Sequence, residues 1–188
     1  MKTKISLFLI IIILFSFIFA TNVNATSIED EDPYGYYSIP ISIVVSSKFS
    51  SWEISQLQEA INEWNSVGLG TLFVYKGTVY DAEFKPVGVV SVSKSSIDTV
   101  GKTIRVANVD EEGNKVAIDA KVYINSNYTY NNGSTTSGTY YLKSVLMHEL
   151  GHVLGLRDSA YRTSVMFRYY TGATAIHYTD LNTLQELY

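Results

Sequence analysis

Apolar residues recur at a helical spacing in three segments of the chain. The pattern predicts helices over 51–66, over 139–154 and from Thr179 towards the C-terminus. Ser50 stands before the first segment and Glu53 follows three positions later, which is the S-x-x-E form of a capping box. The apolar positions are Ile54, Leu57, Ile61 and Trp64 in the first segment, Leu142, Val145, Leu146, Leu150, Val153 and Leu154 in the second, and Leu181, Leu184 and Leu187 in the third.

Between the first two helices the apolar spacing changes to two, which is typical of strands. The longest such segment is 116–124, and Glu112-Gly113-Asn114 before it predicts a hairpin turn. Because strands mostly precede the main helix, the order of elements predicts an α+β fold. The residues expected on the buried face of the long strand are Val116, Ile118, Ala120, Val122 and Ile124, and the shorter strand candidates are 39–45, 71–76, 87–93 and 103–108.

Residues 1–25 have the pattern of an export signal. Lys2 and Lys4 precede the apolar run 5–20, and Val23-Asn24-Ala25 places small residues where a signal peptidase reads. The run holds about 16 residues, fewer than the ~20 that span a bilayer, although an uncleaved anchor stays open. We predict cleavage after Ala25, a secreted extracellular protein and no stable membrane association after cleavage.

The rest of the chain is expected to form an acidic flexible leader, 26–38, and one domain, 39–188, that is monomeric. The chain contains no Cys, which excludes a disulfide scaffold, thiolate zinc sites and a cysteine nucleophile. Its formal net charge of −4 at pH 7 argues against a nucleic-acid partner, because phosphate binding needs clustered Lys and Arg.

His148-Glu149-Leu150-Gly151-His152 has the H-E-x-x-H pattern on the second predicted helix. Four helical residues turn by about 400° and rise ~6 Å, so both imidazoles can reach one metal ion. Zn²⁺ prefers such nitrogen ligands, and its catalytic sites keep one position for water. Glu149 lies beside the first ligand and is the predicted general base for that water.

Asp158 is the predicted third ligand. A continuing helix would carry residue 158 about 9 Å along the axis from His152, away from the metal. Gly155 offers a break, because glycine can adopt a left-handed conformation and turn the chain back. His177, the remaining His of the chain, stays as the alternative third ligand.

The run from His148 to Asp158 resembles the metzincin signature H-E-x-x-H-x-x-G-x-x-H, with Asp in place of the last His. Ser164-Val165-Met166 is similar to the Met-turn of that family. The strand 39–45 with its following helix, the segment 119–125 and the C-terminal segment 180–188 resemble parts of matrixins. The nearest likeness is to secreted bacterial matrixin-like and snapalysin-like proteases, the latter also with Asp as third ligand.

This resemblance implies a zincin-like metzincin fold, with a twisted mixed sheet, an N-terminal helix, an active-site helix and a C-terminal helix. It implies a secreted zinc metalloendopeptidase in which one Zn²⁺, held by His148, His152 and Asp158, activates water with Glu149 as general base. Met166 would lie beneath the metal. The chain departs from the family in having no cysteine switch, and it has Arg168 where astacin-like enzymes have Tyr, so Tyr169 and Tyr170 are candidate oxyanion helpers.

Other interpretations stay open at this point. The domain could be a catalytically inactive zinc-binding interaction module, or an iron(II) oxygenase that uses two His and a carboxylate. Asp110-Glu111-Glu112 could bind Ca²⁺, although a solvated hairpin tip explains it as well. Asp30 or Asp32 of the leader could reach the zinc and hold an enzyme latent.

The expected partners are protein or peptide substrates. The segment 116–124 is predicted to be an edge strand with which an extended substrate pairs by β-augmentation, and 165–176 should build the pocket for the residue after the scissile bond. The Tyr-rich segment 123–141 is a further candidate for substrate contact. Host tissue, a competitor's protein and nutrient peptides all stay open as targets.

Overall fold

The structure is a computed structural model that describes residues 25–26, 35, 38–80, 85–131 and 140–188. All of the predicted signal peptide except Ala25, and most of the acidic leader, including Asp30 and Asp32, lie outside the described residues. Among the described residues, no helix has the length and apolar character that a membrane span requires.

Six strands form one mixed sheet in the order β1-β5-β6-β4-β2-β3. Strand β2 is parallel to β3 and β4, and β4 is parallel to β6, whereas β5 is antiparallel to β6 and β1 is antiparallel to β5. A separate short pair joins β7 to β8. The strands are β1 (Ala25–Thr26), β2 (Ile41–Ser46), β3 (Phe73–Val79), β4 (Val89–Ser95), β5 (Gly101–Val109), β6 (Lys115–Asn125), β7 (Tyr130–Asn131) and β8 (Tyr140–Tyr141).

Three helices complete the described fold: α1 (Ser51–Asn65), α2 (Leu142–Val153) and α3 (Tyr178–Leu187). Helices α1 and α2 pack against each other, and the Trp64 indole of α1 donates a hydrogen bond to the Met147 carbonyl of α2 at 3.0 Å. The apolar faces of the helices and the sheet form one buried core. The mixed sheet with an N-terminal, a central and a C-terminal helix confirms the predicted fold class.

The second helix is shorter than predicted, because it begins at Leu142 rather than at residue 139. Tyr140 and Tyr141 belong instead to β8, which pairs with β7. The predicted strands differ from the observed ones by one to three residues at their ends, as expected of boundaries taken from a pattern.

Strand β6 does not keep one buried face along its length. Asp119 pairs with Val106 of β5 and Ala117 pairs with Ala107, which leaves Ile118 as an extra residue in a bulge. An extra residue moves the following side chains to the opposite face. The prediction was therefore wrong for Val116 and Ile118, which are only partly buried, while Ala117 is buried.

The predicted position of 116–124 at the edge of the sheet was also wrong, because β6 lies between β4 and β5. On this side of the sheet β5 lies next to β6, and the two-residue strand β1 lies outside β5. Strand β1 pairs with β5 only at Arg105 and Val106, so among the described residues no strand lies outside Gly101–Ile104.

Helix α1 begins with the predicted capping box. The Glu53 carboxylate accepts the Ser50 backbone N–H at 2.8 Å, and Ser50 Oγ accepts the Glu53 backbone N–H at 3.3 Å. Lys94 of β4 reaches the same carboxylate at 2.6 Å. Burial alone would raise the pKa of Glu53, but the hydrogen bonds from Lys94 and Ser50 outweigh it and lower the pKa below its ordinary value.

We expect Glu53→Gln to lower the free energy of unfolding by about 1–2 kcal/mol at pH 7. Because the folded-state pKa is lower than its ordinary value near 4.5, this stabilisation is present above that value and is lost as the pH falls through the folded-state pKa. Urea unfolding across a pH series measures the effect, with exposed Glu111→Gln as the control. A difference between Glu53→Gln and wild type that persists undiminished in acid would contradict this role.

Candidate metal centre

Helix α2 presents two imidazoles on one face. His148 Nδ1 lies 2.9 Å from the Val165 carbonyl oxygen, and His152 Nδ1 lies 2.9 Å from that of Leu156. Since a carbonyl oxygen can only accept, each Nδ1 carries its proton and each neutral ring keeps a lone pair on Nε2. The two Nε2 atoms lie 3.1 Å apart, so two lone pairs point into the same small space.

The chain turns back to this space immediately after α2. Gly155 has a φ of 102°, in the left-handed region, as the sequence predicts. The Leu156 N–H bonds to the Gly151 carbonyl and the Gly155 N–H to the His152 carbonyl, both at 3.0 Å, which is a Schellman motif. This turn also aims the Leu156 carbonyl at His152 and brings Asp158 beside the two rings.

Asp158 Oδ1 completes a group of three donors. It lies 3.3 Å from His148 Nε2 and 3.5 Å from His152 Nε2. Four ligands in tetrahedral array around Zn²⁺, at bonds of about 2.0–2.1 Å, are separated by roughly 3.3 Å. The three distances therefore fit one zinc ion. Among the described residues, His148, His152 and Asp158 form the one group of three His, Asp or Glu side chains that could hold a metal ion.

The electrostatics of the group favour a cation. Burial alone would lower the pKa of His148, but Asp158, Glu149 and the Val165 carbonyl outweigh it and raise the pKa. Burial alone would raise the pKa of Asp158, but its contacts with the two imidazoles hold the pKa well below the ordinary range. The Asp158 side chain is 49% exposed, so one side of the group is open to solvent.

Glu149 lies next to the first imidazole and is itself buried. Its Oε2 accepts a hydrogen bond from the Thr103 hydroxyl of β5 at 2.7 Å. On the other side, a Cβ added to Gly101 would lie 2.5 Å from Glu149 Oε1, so the carboxylate occupies the space that Gly101 leaves. The predicted base thus has a fixed position between α2 and β5.

Met166 packs under α2. A Cβ added to Gly151 would clash with the Met166 sulfur and lie 3.1 Å from Trp64 Cζ2, so the thioether contacts the helix where Gly151 has no side chain. The Ser159 N–H donates to the Met166 carbonyl at 2.6 Å, which ties the Asp158 loop to this turn. The predicted Met-turn therefore contacts α2 at Gly151, which lies between His148 and His152 in the chain.

A buried carboxylate of α3 holds the Met-turn. Asp180 accepts the Ser164 hydroxyl, the Val165 N–H at 3.2 Å and the His177 N–H at 3.0 Å. Ser164 Oγ in turn accepts the Met166 N–H at 2.9 Å. Since the Val165 carbonyl orients His148, this network connects α3 to the first imidazole. The sequence analysis did not predict this role for Asp180, although an acidic residue in the first turn of a helix is commonly a cap.

We expect Asp180→Asn to lower the free energy of unfolding by about 2–4 kcal/mol. The two oxygens of the Asp180 carboxylate accept from three donors, and an amide replaces one of these oxygens with an NH₂ donor. Zinc retention should fall as well, since the Met-turn orients His148. Chemical denaturation and metal analysis measure both effects. The matched control is Glu186→Gln, which removes an exposed charge from the same helix. An Asp180→Asn protein as stable as this control would contradict the structural role of the network.

The other candidate residues lie in different surroundings. His177 is the N-cap of α3, with Nδ1 2.9 Å from Thr179 Oγ1 and Nε2 3.2 Å from Thr163 Oγ1, and it is not part of the group of three. The Tyr170 hydroxyl accepts the Tyr141 N–H at 2.6 Å, at the start of α2.

Two further candidates are not brought into the group of ligands either. Tyr169 is exposed, with its ring against Phe167. The Asp110 carboxylate accepts the backbone N–H groups of Glu112 and Asn114 and so closes the hairpin, which leaves the calcium expectation without support.

Comparison with known proteins gives two similarities. A model of the family described as matrixin matches residues 54–188, which include the ligand group, Glu149 and the Met-turn. A protein of Trichoplusia ni ascovirus 2c, provisionally named a matrix metalloproteinase, is 35% identical over 74 residues. That alignment covers 39% of this chain and 15% of the viral protein, so the chain spans only a small part of this relative's length.

Proposed function

Because the chain belongs to the matrixin family, whose model matches residues 54–188, we propose that it is a secreted endopeptidase that depends on one Zn²⁺. Matrixins are zinc-dependent proteases, so protein or peptide substrates follow at the level of the family. The activity of this member, its secretion after cleavage at Ala25, its monomeric state and the assignment of 39–188 as the catalytic domain are parts of the proposal.

One observation carries the proposal. Two imidazole Nε2 atoms and one carboxylate oxygen converge within 3.1–3.5 Å of one another, with Glu149 adjacent and one side open. A structural zinc site is closed by a fourth protein ligand and has no use for an adjacent carboxylate base. The set of donors therefore supports a hydrolytic site in which His148, His152 and Asp158 hold the metal.

When bound, Zn²⁺ supplies Lewis-acid chemistry: it lowers the pKa of water and polarises the substrate carbonyl. Glu149 removes a proton from the attacking water as the new carbon–oxygen bond forms. The same carboxyl then gives that proton to the leaving amide nitrogen as the carbon–nitrogen bond breaks. The products are a carboxylic acid and an amine, and Glu149 returns to its starting state.

The substrate is proposed to lie extended along the Gly101–Ile104 half of β5. This replaces the earlier expectation for strand 116–124, which is internal to the sheet. Pairing with β5 supplies main-chain hydrogen bonds without selecting a sequence, while nearby pockets select side chains. Gly101 and Thr103 contact Glu149, so a peptide on this edge would bring its scissile bond to the base. The segment 165–176 remains the proposed wall of the pocket for the residue after that bond.

A chelator-sensitive peptidase assay tests the proposal. The protein from the culture medium should cleave casein or a mixed peptide library, lose the activity after treatment with a zinc chelator and regain it with one equivalent of Zn²⁺. A non-catalytic zinc-binding module would bind the metal without cleaving any peptide. An iron(II) oxygenase would require Fe²⁺ and O₂, so the same assay with each metal also separates that alternative.

A further inference from the structure

Strand β5 supplies two residues that contact the proposed base, and neither belongs to the H-E-x-x-H motif. Thr103 donates its hydroxyl hydrogen to Glu149 Oε2 at 2.7 Å, and Gly101 lies against Oε1. Thr103 and Glu149 are both buried, and they are 46 positions apart in the chain. The contact therefore joins helix α2 to strand β5.

The hydroxyl has two acceptors within reach and only one hydrogen. The Glu149 backbone carbonyl lies 3.1 Å away, whereas Oε2 lies 2.7 Å away. A hydrogen bond to an ionised carboxylate is shorter and about twice as strong as a neutral one, so the carboxylate is the better acceptor. Among the described residues, no donor reaches Oε1, so one oxygen is fixed and the other remains an acceptor.

We propose that Thr103 is a positioning residue that fixes Glu149 Oε2 and leaves Oε1 as the oxygen that takes the proton, in the space that Gly101 provides. This inference rests on the proposed function. A base must lie within hydrogen-bonding reach of the proton that it removes, and a displacement of about 1 Å can lower the rate about a hundredfold. Thr103 itself touches neither the metal ligands nor, on this proposal, the reacting atoms.

The first test compares Thr103→Val, which keeps nearly the same shape without the hydroxyl, with Thr103→Ser, which keeps the hydroxyl. With a quenched-fluorescent peptide, we expect Thr103→Val to lower kcat about 10- to 100-fold at an unchanged KM, and Thr103→Ser to stay within about threefold of wild type. Zinc affinity, measured against a competing chelator, should be the same in all three proteins. Equal losses in the two variants, or loss of zinc in Thr103→Val, would show a packing role and overturn the proposal.

Gly101→Ala gives a second test that does not depend on the hydroxyl. The added methyl group meets the carboxylate and Cγ of Glu149 rather than backbone, so the Glu149 side chain should move while the fold is retained. We expect kcat to fall about tenfold or more with a Tm close to that of wild type. A Gly101→Ala enzyme with unchanged kcat would contradict the fixed position of Glu149.

A readout without activity separates this inference from the proposed function. In zinc-free protein labelled with ¹³C-glutamate, the Glu149 carboxyl resonance, assigned with Glu149→Gln, should shift in Thr103→Val and stay in place in Thr103→Ser. An unchanged resonance in Thr103→Val would overturn the positioning role even in an active peptidase. A wild-type protein that cleaves no peptide in the presence of zinc would overturn the proposed function and, with it, the catalytic meaning of the contact.

Discussion

Replacing Glu149 by Gln is expected to reduce peptide cleavage at least about 10³-fold while zinc stays bound, because the amide has nearly the same shape but cannot take a proton. The proposed ligand atoms are His148 Nε2, His152 Nε2 and Asp158 Oδ1. None of them belongs to Glu149, so this group should persist in the variant. Initial rates on a quenched-fluorescent peptide and metal analysis of the same sample measure the two effects.

The matched control for this prediction is Glu112→Gln, the same chemical change at an exposed position of the hairpin. Its activity and zinc content should equal those of wild type. If Glu149→Gln cleaved peptides as fast as this control, the assignment of Glu149 as the base would be wrong. If Glu149→Gln lost zinc, the wild-type Glu149 carboxylate would be needed to retain the metal, and the loss of activity would not show that it acts on water.

Replacing Asp158 by Ala is expected to lower zinc affinity by at least about 100-fold, because it leaves two imidazoles and no third ligand. Peptidase activity should fall with the zinc content. Asp158→His is expected to retain zinc, since imidazole supplies the nitrogen ligand that the metzincin signature has at this position. Competition with a chelator of known affinity measures all three proteins.

Two controls make the Asp158 result specific. Asp98→Ala removes an exposed carboxylate elsewhere and should leave zinc affinity unchanged. His177→Ala tests the alternative third ligand and should also leave it unchanged, because His177 caps α3. Full zinc affinity in Asp158→Ala, with loss in His177→Ala, would reverse the assignment.

The sequence was sufficient for the parts of the site that depend on local chain geometry. His148 and His152 are one helical turn apart, so their common face follows from the helix itself. Gly155 adopts the expected left-handed conformation and ends the helix in a Schellman motif, which brings Asp158 back. The capping box of Ser50 and Glu53 is also local, and it was predicted correctly.

The parts that depend on pairing between distant segments could not be predicted. The alternation in β6 gave no sign of the bulge at Ile118, because a bulge is defined by the partner strand. The place of β6 inside the sheet depends on β4 and β5 together, and period-two spacing does not distinguish an inner strand from an outer one.

The contacts of Thr103 and Asp180 were missed for the same reason. Thr103 meets Glu149 from 46 positions away, and Asp180 meets Ser164 from 16 positions away. Threonine in a strand and aspartate in the first turn of a helix are both common, so neither residue type indicates a role in a site. Only the packing of β5 against α2, and of α3 against the Met-turn, gives these side chains their partners.

Anomalous diffraction at the zinc absorption edge, from crystals of the zinc-loaded protein, tests the central proposal most directly. We predict one peak, at about 2.0–2.2 Å from His148 Nε2, from His152 Nε2 and from a carboxylate oxygen of Asp158, with water as the fourth ligand. A peak at another group of residues, or a zinc ion bound by the two imidazoles while Asp158 points into solvent and no other side chain replaces it, would contradict the proposed centre.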